Sequence, residues 1–452
     1  MSQETSRGQM LYQLDDKPPA LTAAFVGFQH LLAIIGGILT APFLIALGMG
    51  LGAGDTAYLI GASLVVSGVA TFVQIHRFGI LGAGLLSIQG TSFAFIGTMI
   101  FAYQFLIDDM SSQEALGIIF GSSAVCAGII FILSFFIRSL RRVITANVAG
   151  ATIILIGLSL IQSTIVNLAN IFSTEGGFAG QGFSRLLLAM AVFVTILFVA
   201  TRRNVWLRLS SISIGLLVGI VGAMQLGHVD FGAVRQAELF FFPEFAHYPF
   251  AVNIQVVVLI LPIFLVSAME SIGDITATNN LSGLQTGTPD YWLRVRGGIL
   301  ATAFNSLVAA LFCSFPSTTF SQNNGVIRLT GVSSRHVGKY VAGFLVALGC
   351  LPAFTALFQA IPSEVVFGAT LLMFILVTVS GFKVIEFSNP KRRDWIIVCL
   401  AIVLGYGFSI GIQSVPGVPA GLLMVLQFPV SAGAIVALFL EIIVPRNVSA
   451  DA

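Results

Sequence analysis

Long apolar runs separated by short polar connections fill this chain. They lie near 20–47, 56–75, 83–105, 115–136, 144–165, 186–200, 205–225, 252–279, 297–312, 316–331, 340–358, 365–382, 395–412 and 430–445. A helix needs about 20 mostly apolar residues to cross a bilayer, so the pattern predicts an all-α membrane protein with fourteen spanning segments. The runs 186–200, 297–312, 316–331 and 430–445 are short for a full crossing. Those at 83–105 and 316–331 are interrupted by Gly, Ser, Thr, Gln and Asn. The longest polar connection, about 225–250, leaves no room for a soluble domain.

The basic residues test the segment count, because cytoplasmic loops carry the excess of Lys and Arg. With a cytoplasmic N-terminus, one side holds Arg7, Lys17, Arg77, Arg138, Arg141, Arg142, Arg202, Arg203, Arg208, Arg294, Arg296, Arg335, Lys339, Lys383, Lys391, Arg392, Arg393 and Arg446. That is 18 of the 21 basic residues. The other side holds Arg185 and Arg235, and Arg328 falls within a span. One miscounted helix would scramble this alternation, so both termini are expected in the cytoplasm. Fourteen divides into two halves of seven, and an odd number per half forces the halves into opposite orientations. Inverted repeats of this kind are common among secondary transporters, with a midplane site at the interrupted segments. The interrupted runs are third and tenth, equivalent positions in the two halves.

Composition removes the soluble alternatives. Hydrophobic residues make up 57% and charged residues 9%, against roughly 25% charged in soluble domains. Mean hydropathy is +0.99. The polar residues 1–18 and the length of the first apolar run argue against a cleavable signal peptide. Cys126, Cys313, Cys350 and Cys399 sit singly in apolar stretches, where a small packing residue is the plain reading. No metal-ligand spacing, phosphate-binding loop or nucleophile–base arrangement stands out, so an enzyme, a cofactor and ATP hydrolysis are not expected. Nothing points to nucleic acid.

Ionisable groups inside spans are costly and mark function by default. Glu270 and Asp274 are four residues apart, on one helical face. They require a cavity, a partner or a proton, the alternative being backbone-bonded packing residues. The run Phe315-Pro316-Ser317-Thr318-Thr319-Phe320-Ser321-Gln322-Asn323-Asn324-Gly325 disfavours continuous helix, and Gly325 permits close backbone approach. Gln322 and Asn323 present donors and acceptors side by side, as a nucleobase edge does. Its counterpart, Gly84-Leu85-Leu86-Ser87-Ile88-Gln89-Gly90-Thr91-Ser92-Phe93, offers Phe93 for stacking. His30, after Gln29 in the first segment, is either a packing residue or a polar support. His76, His228, His247 and His336 read as solvated loop residues.

In combination these stretches resemble the nucleobase–ascorbate transporter family (nucleobase–cation symporter 2), and in particular its bacterial xanthine permeases. Gln322-Asn323-Asn324-Gly325-Val326-Ile327-Arg328-Leu329-Thr330-Gly331 is similar to the family signature. Glu270 to Asp274, Gln29-His30 and Leu86 to Phe93 match in order, and the likeness extends over about 12–445. It implies a 7+7 inverted repeat with short strands in spans 3 and 10. A core domain would comprise 20–136 (spans 1–4) and 251–358 (spans 8–11), and a gate domain 137–250 (spans 5–7) and 359–445 (spans 12–14). Tails of 1–19 and 446–452 would be cytoplasmic. Dimerisation through gate domains and an elevator movement in a bacterial inner membrane are also implied. By the same likeness Glu270 and Gln322 bind the purine, with Phe93, Ser92 and Ser321 beside it, while Asp274, Asn323, His30, Gly325 and Thr302 support or couple. Thr302 stands where the family often has a carboxylate, so that position cannot carry the proton. Ser92 replaces an Asn of some xanthine-selective members, leaving room for the extra oxygen of uric acid.

The expected activity is therefore proton-coupled import of xanthine, with uric acid beside it and no cofactor, the proton rather than sodium being the expected coupling ion. Burial of a carboxyl group favours its protonated form, so either Glu270 or Asp274 can load a proton. A uracil-type permease is the first rival, but such relatives tend to have Glu where this chain has Gln322. A sulfate or bicarbonate transporter of the same architecture is the second, and Arg328 is its one supporting feature.

Overall fold

The computed structural model describes residues 10–136, 145–204, 207–208, 210–229, 232–235, 239–386 and 390–444. Arg7, Arg138, Arg141, Arg142 and Arg446 of the charge count lie outside them. Among the described residues the regular structure is helical apart from two short strands. The first seven segments are α1 (Ala20–Gly48), α2 (Ala53–Ile75), β1 (Gln89–Thr91) leading into α3 (Ile96–Ile107), α4 (Ser112–Leu133), α5 (Ala146–Thr174), α6 (Gly182–Ala200) and α7 (Ser211–Gln225). Then come α8 (Ile254–Leu281), α9 (Pro289–Leu311), β2 (Ser317–Thr319) leading into α10 (Gln322–Thr330), α11 (Arg335–Gly349), α12 (Pro352–Gln359), α13 (Ser363–Glu386), α14 (Arg392–Gly411), α15 (Ala420–Gln427) and α16 (Pro429–Ile443). Among the described residues eight helices are long and apolar enough to cross a membrane, or nine if α11 and α12 form one span.

Local chemistry sets the helix ends. Ser111 and Glu114 form a capping box at the start of α4, satisfying two backbone donors reciprocally. Asn253 accepts from the N–H groups of Gln255 and Val256 at the start of α8. Thr288 caps α9 ahead of Pro289. The run 340–358 was expected as one span. It instead bends by 75° between α11 and α12, where Pro352 opens a new helix and cannot continue the old one. α5 runs to Thr174, well past the apolar stretch that predicted it, because its second half places Ser163, Thr164 and Asn167 between apolar turns. Cys399, expected in the core, is exposed on α14.

The interrupted segments meet. β1 and β2 pair antiparallel, Gln89 opposite Thr319, Gly90 opposite Thr318 and Thr91 opposite Ser317. Gly90 is required at the crossing, since a Cβ there would lie 2.9 Å from both Ile38 Cγ1 and Phe320 Cε2. Because the strands are antiparallel, the helices after them leave in opposite directions. α3 runs to the end of α1 marked by Gly48, which meets Ile100. α10 runs to the other end, where Gly331 O accepts from Leu11 N.

Helix contacts come in exchange-related couples. Swapping each of the first seven segments with its counterpart seven later turns α2–α11 into α9–α4, α1–α11 into α8–α4, α6–α7 into α14–α16, and α13–α6 into α5–α14; all of these contacts are present. The β1–β2 and α5–α13 contacts map onto themselves.

Candidate functional site

The strand pair rests on a buried polar network. Gln89 donates from Nε2 to Thr302 Oγ1 (2.8 Å) and accepts at Oε1 from Asn305 Nδ2 (2.8 Å). Asn305 also donates to Ala70 O (3.1 Å), and Gln89 N donates to Thr71 Oγ1 (3.0 Å). Thr302 thus holds a strand side chain from beneath, and its hydroxyl also donates to Gly298 O at 3.0 Å. Such a network fixes one arrangement because an unpaired buried polar group costs about 1–3 kcal/mol.

α8 is fastened to the tenth segment at successive turns. Ser271 Oγ lies 3.3 Å from Thr318 Oγ1, Thr319 Oγ1 donates to Asp274 Oδ2 (2.9 Å), and Thr278 Oγ1 donates to Asn324 Oδ1 (2.7 Å). The polar positions 271, 274 and 278 share one helix face, a signal the sequence carried beyond the acidic pair. Glu270 differs from Asp274. It is half-buried and has no hydrogen-bond partner among the described residues. Gly273, three residues on, is exposed, and a Cβ there would meet nothing within 4 Å. The Glu270 side of α8 therefore borders open space.

His30 is fully buried, and its Nδ1 lies 2.7 Å from Asn323 Oδ1. Asn323 Nδ2 donates to Leu86 O at 2.6 Å. With its amide nitrogen so engaged, Asn323 accepts through Oδ1, so the His30 proton sits on Nδ1, and Nε2 is a buried acceptor with no partner. His30 thereby joins α1 to both interrupted segments. Replacing Asn323 with Ala leaves two buried partners unpaired, a loss of roughly 1–3 kcal/mol. The expected result is a lower melting temperature of the solubilised protein and uptake reduced about tenfold; unchanged values in both would remove Asn323 from the support.

Around this frame Phe93 and Phe320 place their rings 6.2 Å apart at 52°. Ser92 is 1% exposed, and its hydroxyl accepts from Ala94 N at 3.3 Å. It caps the turn that carries Phe93, so it acts on the site through that turn. Ser321 and Gln322 are exposed at the start of α10, Gly325 is half-buried, and Arg328 is exposed in its last turn. The Gln322 amide has no hydrogen-bond partner among the described residues. The two half-helices begin just after the paired strands, and helix N-termini carry partial positive charge. A carboxylate and a carboxamide without hydrogen-bond partners among the described residues, on segments that meet at the strand crossing beside two phenyl rings, suit a planar heterocycle bearing N–H and C=O groups.

Other ionic clusters were missed. Glu364 is fully buried, with His228 Nδ1 at 3.3 Å and Arg185 Nη1 at 3.8 Å. His228 is thus no solvated loop residue, and Arg185, an exception to the charge alternation, has buried counter-charge. His247 stacks on Tyr58 at 3.9 Å. At the far end Glu441 accepts from Asn147 (3.0 Å) and Arg393 (3.1 Å).

Residues 21–414 match a model described as a permease family. The chain is 35% identical over 437 residues to the xanthine permease XanQ of Escherichia coli K12, covering 96% of this chain and 94% of XanQ. It is 35% identical over 444 residues to the xanthine permease XanP of the same organism, covering 98% and 96%. The transmembrane domain of a cyanobacterium bicarbonate transporter, BicA, superposes with a TM-score of 0.60 at 13% identity, over 93% of this chain and 99% of that one. The murine anion transporter Slc26a9 gives 0.59 at 10% identity, over 95% and 69%. Those two likenesses concern the fold alone. The apolar helices and the permease relatives make this a multi-pass membrane transporter and not an enzyme. Near-full-length identity and the matching family model converge: the chain belongs to the nucleobase–ascorbate transporter family of permeases.

Proposed function

We propose that this permease imports purine nucleobases, xanthine foremost and uric acid beside it, by proton symport across a bacterial inner membrane. The observation that carries the reading is a contrast. Asp274, Asn323 and Thr302 are tied into the frame, whereas the side chains of Glu270 and Gln322 make no hydrogen bond among the described residues. In this reading Glu270 accepts ring N–H groups, Gln322 pairs with an adjacent carbonyl and N–H, and Phe93 lies against the ring. Backbone at Ser321 completes the wall, and Gly325 lets α10 approach closely. The Glu270–Asp274 pair carries the proton, with His30 and Asn323 holding the geometry.

The exchange-related contacts support fourteen spans in a 7+7 inverted repeat. Segments 20–136 and 251–358 form the core domain and 137–250 and 359–445 the gate domain, the core moving as an elevator against the gate of a homodimer. An anion carrier with the fold of BicA and Slc26a9 is the alternative, and a carboxylate pair at the strand crossing disfavours it.

Uptake of labelled xanthine, uric acid, uracil and sulfate into cells lacking their own permeases, with and without a protonophore, tests the proposal. Xanthine uptake that collapses with the protonophore is expected; uptake of uracil or sulfate alone overturns it. Gln322→Ala removes one bidentate contact of about 1–1.5 kcal/mol, so the half-saturation concentration should rise about tenfold. An unchanged value takes Gln322 out of the site.

A further inference from the structure

A cavity of about 210 Å³ lies between α1, α3, α5 and α13, away from the strand crossing. Gly97 lines it, one turn beyond Phe93 along α3, so the cavity stands roughly 6 Å further along that helix, on the α1 C-terminal side. With the cytoplasmic N-terminus expected from the basic residues, this is the outer side. Its lining pairs aromatic and carboxamide groups. Phe101 and Phe428 are stacked at 5.5 Å and 22°. Gln104 of α3 and Asn167 of α5 both line it, with Ser163 one turn before Asn167. Among the described residues the one side-chain hydrogen bond of Asn167 is long, Nδ2 donating to Ser163 Oγ at 3.5 Å. No Lys or Arg lines the cavity among the described residues.

We propose that this cavity is a second binding site for the same lactam-bearing planar heterocycle, a way-station on the outer path that recognises its substrate before the deep site does. The inference rests on the nucleobase reading given above. Each lactam edge, an N–H beside a C=O, is complementary to one carboxamide, and phenyl faces take the flat ring. The polar lining is uncharged, so the station reads the hydrogen-bond edge and not net charge. Gln104 and Asn167 belong to different groups of segments, so a base held by both bridges the two sides that must separate for passage. The chemistry is absent from the sequence pattern because α3 and α5 meet only in the fold.

Equilibrium binding of radiolabelled xanthine to the purified full chain tests this, with correct folding checked by size-exclusion chromatography. Wild type should saturate at two molecules per chain. Glu270→Gln, which disables the deep site, should keep one, and Gln104→Leu/Asn167→Leu should keep the other. Asn167→Asp, which preserves volume but removes the amide donor, should weaken the station about tenfold or more, as expected for a lost hydrogen bond beside a repelled carbonyl. One site in wild type and none in Glu270→Gln overturns the station alone. Absence of purine binding by wild type overturns the nucleobase reading and the station together.

Discussion

Glu270→Gln should reduce purine uptake to background while leaving the amount of protein in the membrane unchanged. The substitution is nearly isosteric, and Glu270 makes no hydrogen bond among the described residues that the frame would lose. What disappears is a negative charge and a titrating proton. A charge-assisted hydrogen bond contributes about 1.5–3 kcal/mol, so substrate affinity alone should fall roughly 10- to 100-fold. Loss of the titrating group should then stop coupled turnover. Asp274→Asn provides the contrast. An Asn oxygen can still accept from Thr319, which now donates to Asp274 at 2.9 Å, so α8 stays fastened to β2. That variant should bind xanthine within a fewfold of wild type while its accumulation against a gradient fails. Full uptake by Glu270→Gln, or loss of binding in both variants alike, would break the assignment of separate roles.

How legible was this in the sequence? Run length located the apolar segments, and a second property pointed to the candidate site: polar interruption at equivalent positions in two halves. Those two stretches became the paired strands. Glu270 and Asp274 were visible because a carboxylate pair is costly in an apolar run. The frame beneath them was not visible. Gln89 meets Thr302 and Asn305 across more than two hundred residues, and although the family likeness marked Thr302 as a supporting position, nothing in its own segment says that it holds Gln89. Glu364 and Glu441 were overlooked for the same reason, since Arg185 and Asn147 neutralise or bind them from distant segments. The length of α5 was underestimated because polar residues at 163, 164 and 167 broke its hydropathy without breaking its helix. Helix ends follow backbone hydrogen bonding, whereas hydropathy follows what the side chains face.

Gly157→Leu should have the largest effect on the fold, preventing accumulation of the protein in the membrane. α5 and α13 touch backbone to backbone. A Cβ on Gly157 would lie 2.7 Å from Thr378 N and 3.0 Å from Phe374 O. Across the same contact, a Cβ on Gly381 would lie 2.8 Å from Ile154 N and 2.9 Å from Gly150 O. Small residues let membrane helices approach this closely, and dispersion and polar contacts then hold them, since lipid supplies no hydrophobic drive for association. Side chains can rotate away from an added group, but backbone atoms move only if the helix moves. Overpacking a well-filled interior costs about 1–3 kcal/mol when rotamers adjust, and here they cannot. Even Gly157→Ala should lower the melting temperature measurably. Gly407→Leu is the control, for a Cβ there meets nothing within 4 Å, and it should accumulate normally. Because α5 and α13 exchange with one another in the contact pattern, Gly381→Leu should be as damaging as Gly157→Leu. Normal accumulation of either would mean that the two helices can slide apart, and that α5 and α13 are not the rigid wall that the proposed elevator movement needs.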